Sequence, residues 1–287
     1  MNGQADAIDY QAHRDFFREV LQEVHDIMAA RYDTREVKIT PLGMGGSRLS
    51  IPIRVDGVNS KGEKVRFFAK ILGSSELMTA RTIQLFKNIF LHTISKDPLF
   101  DLNATAEHMA KHQYDLLNQI HELKIPTARP LGYHPLKGNL WLLVEEYLNA
   151  RPINMSKDMT ESHLETGFTY LAKMHKNGIY HGDIKPENIL FAEKVYIMDV
   201  GNFTDAAPAG EKMAYDLACM IASFLDYAPP ERIVALALKH FSKKDVRHAT
   251  EYIELIQRRP DINFSNATKE MLISLMLGSG KKGKETD

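Results

Sequence analysis

The eight residues His181-Gly182-Asp183-Ile184-Lys185-Pro186-Glu187-Asn188 constrain this chain more than any other stretch. They bring a carboxylate (Asp183), an ammonium (Lys185) and an amide (Asn188) close together along the chain. Read blandly, such a run is a polar turn ahead of a strand. The residues after Asn188 make that reading poor. Ile189-Leu190-Phe191 reads as a short strand, Val195-Tyr196-Ile197-Met198 as its hairpin partner, and Ala192-Glu193-Lys194 as the turn. The partner strand delivers Asp199-Val200-Gly201. Alone, an Asp-x-Gly after a strand is usually a turn. Behind this loop and hairpin it carries far more weight.

The run resembles the catalytic loop of protein kinases, H-x-D-x-K-P-x-N, and Asp199-Val200-Gly201 resembles D-F-G. The resemblance implies a role for each side chain. Asp183 would accept the proton of an attacking hydroxyl, and Lys185 would neutralise charge on the phosphoryl group in transfer. Asn188 and Asp199 would hold Mg²⁺ on the phosphates of ATP. Upstream, Phe67-Phe68-Ala69-Lys70-Ile71-Leu72 is an apolar strand with one lysine. It resembles V-A-I-K, which implies that Lys70 grips the α- and β-phosphates. Leu42-Gly43-Met44-Gly45-Gly46-Ser47 lies between two apolar strands. Glycines let backbone N–H groups approach phosphate oxygens closely. The stretch resembles G-x-G-x-x-G in part, with Arg48 at the third glycine position. That implies a phosphate-covering loop at Gly43, Gly45 and Gly46. Leu140 to Leu148 is similar to the strand that enters the kinase hinge. By that match the Glu146 carbonyl and the Leu148 N–H meet the adenine edge, and Glu145 is an unusually polar gatekeeper. Leu164 to Lys176 spaces Leu164, Phe168, Leu171, Ala172 and His175 along one helical face. It stops at Asn177-Gly178. His175 reads there as a packed structural residue.

These motifs occur in kinase order over roughly residues 36 to 225, so the chain resembles the protein kinase-like superfamily. Two departures stand out. Gly182 occupies the position where protein kinases carry the arginine that pairs with a phosphorylated activation loop. The segment after Asp199 is also short, with the helix from Glu211 to Ala218 beginning soon after Gly201 and no A-P-E motif before it. His-Gly-Asp and a short segment resemble the RIO kinases, lipopolysaccharide kinases and aminoglycoside phosphotransferases. Lys-Pro-Glu-Asn resembles the Ser/Thr protein kinases instead. Kinases also pair the strand lysine with a helix glutamate. On the helix from Thr105 to Leu123, counting back from Pro126 puts that position near Gln113. Glu107 is the only earlier acid and the favoured candidate, and Asp115 is a shorter alternative.

The resemblance implies an α+β, two-lobed protein kinase-like fold. It has a small antiparallel β-sheet lobe, a larger mainly helical lobe, and ATP in the cleft. A chain of 287 residues is long enough for both. The expected organisation is an N-terminal helix extension (1–35), a small lobe (36–146) with an insertion at 73–103, a large lobe (147–278) and a disordered tail (279–287). Tyr10 to Arg31 has helical spacing at Tyr10, His13, Phe17, Val20, Leu21, Val24, Ile27 and Met28, which suits packing on the small lobe. The insertion is too apolar for a free loop, with Ile83, Leu85, Phe86, Ile89, Phe90 and Ile94; it is expected to pack on the small lobe, with docking of a partner helix or a membrane surface as the alternatives. A net charge of −1 implies no broad polyanion-binding surface, so no nucleic-acid partner is indicated. Cys219, the single cysteine, excludes an internal disulfide. No run approaches the ~18 apolar residues of a membrane span, and the N-terminus lacks a signal pattern, so a cytoplasmic protein is the default expectation.

Lys185 favours a Ser or Thr of a protein as acceptor. The short segment and missing A-P-E count instead toward a sugar, lipid-linked or other small hydroxyl compound. A non-catalytic ATP-binding module is the third reading, against which stand the intact Lys70, Asp183, Asn188 and Asp199.

Overall fold

In the computed structural model, the described residues are 2–42, 50–73, 87–88, 91–92, 96–101, 105–201 and 203–278. The chain forms two compact units. One comprises Met1–Arg81, Ala104–Tyr114 and Arg129–Leu148, and the other Thr82–Asn103, Asp115–Ala128 and Asn149–Asp287.

The first unit is built on five antiparallel strands: β1 (Arg35–Pro41), β2 (Ser50–Val58), β3 (Lys64–Leu72), β4 (Pro130–Leu136) and β5 (Leu140–Glu146). Their order is β1-β2-β3-β5-β4. Alternation along β3 sends successive side chains to opposite faces. Ala69 and Ile71 pack with Ile53, Val55, Leu142 and Val144 against Val20, Val24 and Met28 of helix α1 (Asn2–Arg31). The spacing of those three helical residues is i, i+4, i+8, one stripe of an amphipathic helix. Each such side chain, fully buried, contributes about 1.5–3 kcal/mol of transfer free energy. Phe17, expected on the same stripe, is exposed instead. On the other face, Leu72 and Leu143 pack with Ala106 and Ala110 of helix α2 (Ala106–Glu122). Lys70 has the same parity as Leu72, so register directs it to this α2 face.

The second unit has a three-stranded sheet, β6 (Arg151–Pro152), β7 (Ile189–Phe191) and β8 (Val195–Ile197), paired in that order. β7 and β8 are the hairpin expected after the polar run, in the register Leu190 opposite Tyr196. Five further helices are described: α3 (Glu161–Lys176), α4 (Ala209–Ser223), α5 (Pro230–His240), α6 (Lys243–Gln257) and α7 (Asn266–Met276). α4 is buried on all sides from Ala214 to Ser223, the signature of a helix at the centre of a core. The segment before α4 is anchored by the end of the sequence insertion. Phe100 forms a β-bridge with Phe203, their rings stack at 5.6 Å, and Thr204 N–H donates to Leu99 O at 2.8 Å. Asn88 holds that end in place. Its amide donates to Phe100 O at 2.9 Å, and its oxygen accepts from the Leu99 and Phe100 N–H groups at 3.1 Å each. Ile83, Leu85, Phe86, Ile89, Phe90 and Ile94, expected to pack, lie outside the described residues, as does the tail from 279.

Candidate active site

In the second unit the polar run leaves α3 through Gly178 (φ 74°) and turns under α4. Asp216, buried in α4, fixes the turn. It accepts from the His181 N–H at 2.7 Å and from the Gly182 N–H at 2.8 Å, and lies 3.3 Å from His175 Nε2. A carboxylate that accepts two backbone N–H groups satisfies donors that would otherwise be orphaned in the core. His175 is buried, as expected of a packed residue. His181 Nδ1 accepts from the Asp183 N–H at 3.2 Å, so Nε2 carries the proton and donates to Met198 O at 2.9 Å. Burial lowers the pKa of His181, which keeps the ring neutral and holds this tautomer.

Gly182 has φ 77°, in the left-handed region. A Cβ there would sit 3.3 Å from the Phe203 ring and 3.4 Å from the Gly201 carbonyl carbon. An L side chain at Gly182 would therefore be strained by the positive φ and crowded by Phe203.

Asp183, Lys185 and Asn188 converge. Lys185 Nζ lies 2.9 Å from Asp183 Oδ2. The Asn188 amide donates to Asp183 Oδ2 at 3.1 Å, to Asp183 O at 2.8 Å and to Asp199 O at 3.2 Å. Asp199 adopts φ 55°, rare for a non-glycine residue and typical of strained positions at functional sites. Burial opposes the charge on Asp183, but Lys185, Arg259 and Lys87 outweigh it and hold the carboxyl well below the usual carboxylate range. Burial likewise opposes the charge on Lys185, yet Asp183 and then Asp199 raise it to about 12.

Three groups here have no counterpart in the motif reading. Arg259 donates to Asp183 Oδ1 at 3.1 Å, and Asp261 lies 3.8 Å from Lys185 Nζ. Lys87 has its ammonium 4.6 Å from the Phe100 ring centroid. Burial and the neighbouring Arg259 push its pKa down to about 8.

In the first unit, Lys70 is buried beside Gln113 Oε1 at 3.4 Å and Glu145 Oε1 at 3.7 Å. Glu107, favoured from the sequence as its partner, is exposed in the first turn of α2. Gln113, six residues on, is what the helix presents to the lysine. The carboxylate comes from β5, where Glu145 shares a face with Lys70 one diagonal step away. Glu146 ends β5, with its N–H donating to Arg129 O at 2.9 Å, and Leu148 lies two residues on, half-buried. Gly43, Gly45 and Gly46 lie outside the described residues.

The oxygen types here suit a hard cation. The Asn188 Nδ2 group faces protein acceptors, and the Asn188 amide oxygen and the Asp199 carboxylate are the ligand type Mg²⁺ takes. Among the described residues, no group of three or more His, Cys, Asp or Glu is arranged to hold a metal by itself.

No family model matches the chain. It is 26% identical over 146 residues to the MAPK/MAK/MRK overlapping kinase of Homo sapiens, covering 44% of this chain and 34% of that protein. With the Mus musculus protein of the same name the identity is 27% over 146 residues, with the same shares. The match thus spans about a third of the length of these curated relatives. Among solved structures, the Rio2 kinase-ADP/Mg²⁺-phosphoaspartate complex from Chaetomium thermophilum matches 89% of this chain and 75% of its own, with TM-score 0.45 and 15% identity. That likeness is too loose to argue from. The chain is thus similar in sequence to these kinases over part of its length, and its described residues build an α+β fold on an antiparallel five-stranded sheet.

Proposed function

We propose that the chain is an ATP-dependent phosphotransferase that moves the γ-phosphate of Mg-ATP to a hydroxyl, with Ser or Thr of a protein as the acceptor. The observation that carries this reading is the set Asp183, Lys185 and Asn188, with Lys185 Nζ 2.9 Å from Asp183 and the Asn188 amide bridging Asp183 to the Asp199 carbonyl. A carboxylate held ionised can accept the proton of the attacking hydroxyl. Its paired ammonium is available to the phosphoryl oxygens, where charge is spread in the transition state. Mg²⁺ held by Asn188 and Asp199 would neutralise charge on the nucleotide phosphates. Lys70 would bind the α- and β-phosphates, with Glu146 and Leu148 at the adenine and Gly43, Gly45 and Gly46 over the phosphates. Catalysis on this reading is positioning plus electrostatics. A cytoplasmic setting accords with the need for ATP.

A small hydroxyl compound as acceptor is the second reading. The short segment before α4, held down by the stacking of Phe203 on Phe100, favours it. The test is incubation with γ-labelled ATP, comparing self-labelling, generic protein acceptors and a panel of small hydroxyl metabolites. Label in protein Ser or Thr supports the first reading. ATP consumption that rises only with a soluble hydroxyl compound supports the second. Nucleotide binding with no transfer to anything would mark a binding module and overturn both.

A further inference from the structure

Asp183 is held by more than its own loop. Arg259 lies in the connection between α6 and α7, 76 residues further along the chain, and is buried. Every face of its guanidinium is engaged. Nε and Nη2 form a two-pronged pair with Asp261, at 2.8 and 2.7 Å. Nη1 donates to the Tyr215 hydroxyl at 2.8 Å and faces Cys219 Sγ at 3.5 Å. Nη2 also donates to Asp183 Oδ1 at 3.1 Å. No donor is left over for a substrate anion, so the guanidinium acts inward, on the protein's own carboxylates.

The atoms of Asp183 show what the contact does. A carboxylate oxygen has two lone-pair sites. Oδ2 has both occupied, by Lys185 and by the Asn188 amide. Among the described residues Oδ1 has one donor, Arg259, which leaves one lone pair. We propose that Arg259, aimed by its fork onto Asp261 and by Tyr215, is a positioning residue for the phosphoryl-transfer reaction. It locks the Asp183 side chain so that the second lone pair of Oδ1 is the one presented to the acceptor hydroxyl. This rests on the function proposed above. Arginine suits the task because its planar fork is fixed by Asp261 before it reaches Asp183, which a lysine cannot reproduce. Asp261 also lies near Lys185, so one acidic side chain orients both cations that flank the base.

The experiment is a double-mutant cycle on kcat, with nucleotide affinity measured in parallel on the full chain. Arg259→Met should lower kcat by about 10²-fold, the scale of a small misplacement of a reacting group. The affinity for Mg-ATP should stay within about twofold of wild type. Asp261→Asn, which keeps the arginine but loosens its aim, should lower kcat by about 10-fold, and serves if Arg259→Met fails to fold. In an Asp183→Asn background, either change should cost little more, because groups that act as a unit are not additive. Full additivity, or a loss confined to nucleotide affinity, would overturn the assignment. If wild type transfers phosphate to no acceptor, the proposed function fails. The urea midpoints of the four proteins of the Arg259 and Asp183 cycle then decide about the contact itself. Midpoint losses that fail to add support the lock, and losses that add overturn it.

Discussion

Replacing Glu145 by Gln removes the carboxylate that β5 sets beside Lys70 while keeping its shape. Both side chains are buried, at 4% and 0% exposure, and their charged atoms are 3.7 Å apart. At an effective dielectric constant of roughly 20, the attraction between them is about 4–5 kcal/mol. Taking both ions out of water costs a comparable amount, so the intact pair has a small net worth. Breaking it is another matter, because the buried ammonium then loses this counter-charge and keeps the neutral Gln113 beside it. A loss of about 3 kcal/mol is expected for Glu145→Gln, softened toward the lower end by that amide. The double change Lys70→Met with Glu145→Leu should return to within about 1 kcal/mol of wild type, since it removes both desolvation costs. Trp141, the only tryptophan, lies on β5 four residues from Glu145 and reports on this unit. Urea unfolding followed by its fluorescence measures each variant. Glu107→Gln is the control, and at an exposed site it should stay within about 0.5 kcal/mol. A Glu145→Gln protein as stable as wild type would show that the Lys70 ammonium does not depend on this carboxylate.

Gly182→Arg restores the residue that protein kinases carry but places it at φ 77° against the Phe203 ring, so a stability loss of about 1–3 kcal/mol is expected by thermal unfolding. Thr204→Ala should be as active as wild type, and unphosphorylated protein as active as protein pre-incubated with ATP. The segment is held by a backbone bond to Leu99 and by Phe203, and needs no phosphate. A lag that pre-phosphorylation removes would contradict this. Burial pushes the Cys219 thiol up to about 12, so native protein at pH 8 should resist alkylation and react only on unfolding. Mass spectrometry after iodoacetamide, with and without urea, reads this directly.

Most of the elements are legible in the sequence because periodicity is local. The hairpin Ile189–Ile197, the helix ending at Asn177-Gly178 and the helix from Pro230 to His240 each carry their pattern and their stop within a few residues. The lysine's partner is not legible in the same way. The family pattern supplies a helix glutamate, whereas Glu145 is set near Lys70 by strand pairing, which no local pattern reports. A signal exists nonetheless: an acid that ends the apolar run Leu142-Leu143-Val144 must be either exposed or paired. Asp216 carries the same signal, as a lone acid in the apolar run from Ala214 to Ala222. Arg259 carries none. It follows Arg258, which is exposed and pairs with Glu254, and only the tertiary fold tells the two arginines apart.

On the proposed function, Asp183 serves the acceptor hydroxyl while Asp199 serves the metal nucleotide. Transfer from γ-labelled ATP, measured beside Mg-ATP affinity for wild type, Asp183→Ala and Asp199→Asn, tests it most directly. Asp183→Ala should bind Mg-ATP nearly as wild type does and turn over at least about 10²-fold more slowly, whereas Asp199→Asn should lose affinity as well. An Asp183→Ala protein that transfers phosphate at the wild-type rate would contradict it.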